Sequence, residues 1–186
     1  MKIHLDTTSN IIKNPSIKKQ IEDNLRQNFE MELPETIKRM GETSSFITAE
    51  VGFYSKLLND AKECYRLGLY YATISMIGIT AERFSIELSE KVEFKINEKK
   101  ILEEDLFDKS LKQSLRLILL KKAEIIKLEI YNKLKEISEI RNKYVHPKEE
   151  GDAKKDSLKS LNLFIEIINS RFSDNYIIKE GKIVKK

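Results

Sequence analysis

Between residues 43 and 172 the apolar side chains recur at spacings of three and four, and little interrupts them. That period belongs to the α-helix, where positions three and four apart share a face; a strand would alternate instead. Six Gly and three Pro among 186 residues leave few breakers, while helix-favouring Lys, Glu, Leu and Ile are plentiful. The chain is therefore expected to be all-α, a bundle of about five or six helices, long enough for one domain with a real core.

Thr43-Ser44-Ser45 offers an N-cap for a helix running to about Leu67, with Tyr54, Leu58, Ala61, Cys64 and Tyr65 among its apolar positions. Gly68 breaks it, and a second helix is expected from about Tyr70 to Val92, with Ile74, Ile77, Ala81, Phe84 and Leu88 inward. The neighbouring face of that helix reads Ser75, Gly78, Ile79 and Glu82, where the small residues invite close approach by another backbone. Phe94 to Lys109 is weakly patterned and reads as a loop or short helix. Two more helices, Leu111 to Leu120 and Ala123 to Val145, are set apart by a kink at Lys121-Lys122, and a last one covers about 154–172.

Residues 1–42 read as an N-terminal extension that packs on the bundle, and 43–173 as the helical domain itself. In the extension, Met1–Asp6 suggests a short strand, and a helix opens near Ser16 with Ile17, Ile21, Leu25 and Phe29 at strict fours. Leu33-Pro34 is expected to end or restart it, with a turn following to Gly41. The tail 174–186 suggests a small β-hairpin around Glu180-Gly181, paired with the first strand.

Function concentrates where the 123–145 helix closes, at Arg141-Asn142-Lys143-Tyr144-Val145-His146-Pro147. Apolar residues at Ile126, Ile130, Leu134, Ile137 and Tyr144 mark one face, and Arg141 falls on it where another apolar residue is expected. A guanidinium facing a packed surface needs a carboxylate or a ligand, because an unpaired buried charge is costly. Glu82, one turn beyond Gly78, is the candidate carboxylate. Pro147 disfavours helix in the residue before it, so the helix is expected to stop at about Val145, with His146 at its C-terminal mouth.

Arg, a polar residue, three more and then His, at a helix end in a small all-α chain, resembles the motif of the HEPN superfamily. The likeness runs over roughly 44–172 and is best at Arg141–His146, with Asn142 as the polar second residue. It is also good at Ala61–Ala72 with Ala81-Glu82-Arg83, which resembles the helical hairpin preceding that motif. The resemblance implies a metal-independent endoribonuclease of toxin or anti-phage defence type, cutting RNA at a composite site in a homodimer. Arg141 and His146 would be its catalytic pair, with Asn142, Lys143, Tyr144 and Glu82 supporting them or meeting RNA. It also implies an antitoxin or defence-system partner protein. Other members bind without cutting, so a silent module for nucleotide, RNA or protein is the alternative.

The residues themselves agree with such chemistry. Histidine titrates near neutrality and serves as acid or base, and arginine offers a permanent bidentate fork for phosphate. Lys143 and Lys148 flank the motif and stand well to meet a phosphate. The net charge of +4 permits a nucleic-acid partner. With Cys64 alone and only His4 and His146, no disulfide within the chain and no cysteine–histidine zinc cluster can be assembled, and no cofactor is expected. No apolar run approaches 18 residues and no leader pattern opens the sequence, so the cytoplasm is expected, with no membrane contact.

Overall fold

The computed structural model describes residues 14–45, 53–90, 95–96, 99–100, 112–145, 151–179 and 182–185, and among them the protein is all-α. Six helices follow in order: α1 Pro15–Glu42, α2 Phe53–Arg66, α3 Tyr70–Glu90, α4 Gln113–Lys122, α5 Leu128–Val145 and α6 Ala153–Asn175. Two small antiparallel ladders accompany them, β1 (Lys95–Ile96) with β2 (Lys99–Lys100), and β3 (Tyr176–Lys179) with β4 (Lys182–Lys185). No described helix is long and apolar enough to cross a membrane.

α3 is the central helix and touches α2, α4, α5 and α6. The core forms around it from Leu58, Ala61 and Tyr65 of α2, Ile77, Ala81 and Phe84 of α3, Leu134 and Ile137 of α5, and Leu161, Phe164 and Ile165 of α6. Tyr54, Phe84 and Phe164 meet edge to face, with centroids 5.3 to 6.4 Å apart. Buried Thr73, Thr80, Ser85 and Ser89 of α3 satisfy their hydroxyls on carbonyls three or four residues back.

The α2–α3 corner turns at Gly68, whose φ of 76° is left-handed. Gly68 N–H donates to the Tyr65 carbonyl and Leu69 N–H to that of Cys64, a Schellman closure that glycine makes without a Cβ penalty. Cys64 is half-buried beside this corner, and burial, then Asp60 and Glu63, push its thiol up, so it is a packing residue.

Between α4 and α5 the chain breaks over residues 123–127, where a kink at Lys121-Lys122 was expected. Glu124 takes a left-handed φ of 57°, and Ile125 N–H closes on the Leu120 carbonyl. Ile126 is buried all the same, because the core demands an apolar side chain there whether or not the backbone is helical. α5 and α6 then run together, strapped by Lys159–Glu136 and Lys133–Glu166 ion pairs.

α1 departs from its expected form. Pro15 takes the first helical position and Asn14 caps it by accepting from Ser16 N–H at 3.0 Å, but the helix then continues through Pro34 to Glu42. A proline interior to a helix costs about 3 kcal/mol, partly through a carbonyl left without its donor. Here water can serve that carbonyl, because every residue from 14 to 35 is exposed. Packing on the bundle is confined to the last turns. Arg39, only 5% exposed, donates from Nε to the Arg66 carbonyl at 2.7 Å and from Nη2 to Thr36 Oγ1 at 3.2 Å. Its guanidinium also lies over Gly68, and Glu42 accepts from the Tyr65 hydroxyl.

In the tail β3 and β4 pair antiparallel as expected, with Lys179 opposite Lys182, while Glu180 and Gly181 lie outside the described residues. Its expected partner strand, Met1–Asp6, lies outside the described residues, as does most of Phe94 to Lys109.

Candidate functional site

The core stripe of α5 runs through Ile130, Leu134, Ile137 and then Ile140, which is 9% exposed. Ile140 thus fills the place in the stripe that Arg141 was expected to interrupt, and Arg141 stands at the edge, half-buried. Its stem lies directly across Gly78 of α3. A Cβ at Gly78 would meet Arg141 Cγ at 3.0 Å and Nε at 3.2 Å, and would overlap Cδ. Glycine at 78 is the gap through which the arginine passes.

Glu82 is not the partner of that arginine. Among the described residues no hydrogen bond or ion pair joins them. Glu82 sits one turn further along α3, on the side covered by α4, and there its charge acts on buried Arg116. Burial pulls the Arg116 guanidinium below its ordinary range, and Glu82 offsets part of that effect.

The next two motif residues turn toward α6. Lys143 Nζ and the Tyr144 hydroxyl both donate to Asp156 Oδ2, at 2.9 and 2.8 Å. Burial would raise the Asp156 carboxyl, but these two bonds outweigh it and hold the group below the usual carboxylate range. Burial and the bond to Asp156 push the Tyr144 phenol well up. Gly151 closes over them so tightly that a Cβ there would fall 2.6 Å from the Tyr144 hydroxyl and 2.7 Å from Lys143 Nζ. Gly151 is half-buried there. Asp152 then caps α6, accepting from Lys155 N–H at 3.0 Å. On its other side Tyr144 meets Tyr71 of α3 edge to face, centroids 5.6 Å apart. Tyr71 is 66% exposed.

Arg141, Lys143 and Tyr144 thus gather where α3, α5 and α6 meet, and Asn142 is exposed beside them. His146 lies outside the described residues, as does Lys148. Tyr71, Gly151 and Asp156 belong to the same corner and were missed. The Tyr144–Asp156 pair spans 12 residues across a connection, so no helical spacing announces it. The clamp shapes the end of α5 while leaving the guanidinium of Arg141 unneutralised by any described carboxylate. A cation so held can take an anionic ligand such as a phosphate. No family model matches this chain, no curated protein matches it, and no solved structure matches it.

Proposed function

We propose that this chain is a HEPN-like, metal-independent endoribonuclease of toxin or anti-phage defence type. It would act on RNA as a homodimer, with Arg141 and His146 of two chains forming a composite site. The seat of Arg141 carries this reading. Its stem is pinned across Gly78, its head has no carboxylate partner among the described residues, and the exposed ring of Tyr71 lies close by, against Tyr144. A pinned guanidinium and an exposed aromatic ring in one corner suit a phosphate and its base.

In the reaction the 2′-hydroxyl oxygen attacks the adjacent phosphorus, its proton passing to a base. The bond from phosphorus to the 5′-oxygen breaks, and an acid protonates that leaving oxygen. The products are a 2′,3′-cyclic phosphate and a 5′-hydroxyl. Arg141 stabilises the charge developing on the phosphoryl oxygens, and His146 performs one proton transfer. One imidazole near the motif cannot readily serve both transfers, which is why two chains are invoked.

A silent HEPN-like module that binds nucleotide, RNA or a protein partner is the second reading. It is favoured by the engagement of Lys143 and Tyr144 with Asp156, which makes both structural residues. Incubation of the purified chain with RNA separates the two. Cleavage lost in Arg141→Ala and in His146→Ala, and partly restored by mixing the two variants, supports the composite nuclease. Salt-sensitive binding without cleavage supports the silent module, and neither binding nor cleavage removes both.

A further inference from the structure

Where the last turns of α1 lie against α2, the chain borders an open cavity of about 400 Å³. Every side chain lining it except Met40 is polar or charged, and three cations, Arg39, Lys62 and Arg66, stand there against one carboxylate, Glu63. The period of α2 gathers this set. Asn59, Lys62, Glu63 and Arg66 lie three and four apart, on a face beside the one that buries Leu58, Ala61 and Tyr65. The rim is held in place by α6 and α2: Ser44 N–H donates to Asn162 Oδ1 at 3.3 Å, Asn169 Nδ2 to the Ser45 carbonyl at 3.1 Å, and Lys62 Nζ to the Ser44 carbonyl at 3.2 Å.

Helix ends account for part of this positive charge, because cations favour a helix C-terminus. Arg39 Nε serves the Arg66 carbonyl at the end of α2, while Nη2 reaches Thr36 and lies 3.5 Å from Glu32, a carboxylate 70% exposed. Its Nη1 has no partner among the described residues. Arg66 pairs with Glu63, three residues back on the same helix, and its Nε is buried with no hydrogen-bond partner. Glu42, close by, does not line the cavity; it accepts from the Tyr65 hydroxyl and pairs with Lys154 at 3.9 Å. Two guanidinium forks thus each keep a donor that the protein does not answer, and leaving such a donor unmet is costly. An anion with several oxygens answers both, and phosphate matches the fork bidentately. The volume falls in the range of about 300–1,000 Å³ that holds a small organic molecule, so there is room for a body attached to the phosphate. Asn59, Thr43 and Ser45 offer that body amide and hydroxyl groups, with Met40 alone apolar, which suits a hydroxyl-rich body over an apolar one. We infer that the α1–α2 cleft binds a small phosphate monoester with a hydroxyl-rich body, a nucleotide or a sugar phosphate, whose phosphate meets Arg39 and Arg66. The cleft shares no residue with the Arg141 corner, and the inference is independent of the ribonuclease reading.

Isothermal titration of the full chain with AMP, ribose 5-phosphate and inorganic phosphate tests it. AMP and ribose 5-phosphate should each saturate one site per chain, and Arg66→Gln should weaken both by roughly ten- to a hundredfold. Its circular dichroism should stay unchanged, since Arg66 is half-exposed. Tighter binding of AMP would identify the ligand as a nucleotide, and equal affinity as a sugar phosphate. A second readout needs no variant: the backbone amide resonances of Thr43, Asn59 and Arg66 should shift together as either compound is added to the wild-type chain. No saturable binding of either compound would overturn the proposal. So would full affinity in Arg66→Gln, or binding lost in Arg141→Ala instead. Inorganic phosphate held as tightly as both esters would overturn the assigned ligand class.

Discussion

Replacing Gly78 with Ala should disable Arg141 without touching it. The added methyl would stand 3.0 Å from Arg141 Cγ, 3.2 Å from Nε, and inside contact with Cδ. Carbon atoms pack best at about 3.5–4.0 Å, so the stem must shift by roughly an ångström. Leaving its rotamer well costs on the order of 0.5–1.5 kcal/mol. Against that, alanine in place of an interior helical glycine stabilises by about 0.8–1 kcal/mol. The two nearly cancel, so the melting temperature should move little. RNA binding should not survive so well, because a charge-assisted hydrogen bond is worth about 1.5–3 kcal/mol, or roughly ten- to a hundredfold in affinity. The assay pairs a thermal melt with filter binding of RNA at one fixed salt concentration, and Ser75→Ala, exposed on the same helix, serves as control. Full RNA affinity in Gly78→Ala would refute the claim that the seat over Gly78 aims the guanidinium.

Three further outcomes are expected. Asp156→Asn keeps an acceptor oxygen but removes the charge that strengthens the bonds from Lys143 and Tyr144; with Lys143 partly solvated, it should cost about 1 kcal/mol by denaturant titration. The folded Asp156 carboxyl holds its proton less readily than the unfolded one, so its contribution is complete above the ordinary carboxylate range. It should disappear as pH falls below that range, and Asp156→Asn should flatten this acid limb of the stability profile. Arg39→Ala should release α1, seen as faster proteolysis within residues 15–42 and a loss of about 2 kcal/mol, and Arg39→Lys should not rescue it, because an ammonium lacks the fork that reaches both the Arg66 carbonyl and Thr36. RNA cleavage should survive EDTA; activity abolished by chelation and restored by magnesium would count against the Arg–His reading.

The helices were legible because their apolar period is strong and their breaks carry chemistry, as at Gly68, where a left-handed residue is needed. Gly78 was legible too, as a thin place in α3 open to a neighbour, and Arg141 is that neighbour. The partner of Glu82 was not. Which arginine feels a carboxylate's charge depends on the helix that covers it, and α4 brings Arg116 within range of Glu82. Ile140 was overlooked because stripes spaced by three and by four leave two adjacent positions equally open, and only packing against α3 decides between them. Pro34 gave a misleading stop signal: the helix runs on through it, where the carbonyl it leaves without a donor can turn to water.

The central claim is that Arg141 and His146 cut RNA through its own 2′-hydroxyl, and the ends of the fragments test it most directly. Wild-type protein should leave 2′,3′-cyclic phosphate and 5′-hydroxyl ends. His146→Ala should leave the RNA intact at unchanged helical content. Fragments ending in 5′-phosphate, or undiminished cleavage by His146→Ala, would contradict the account.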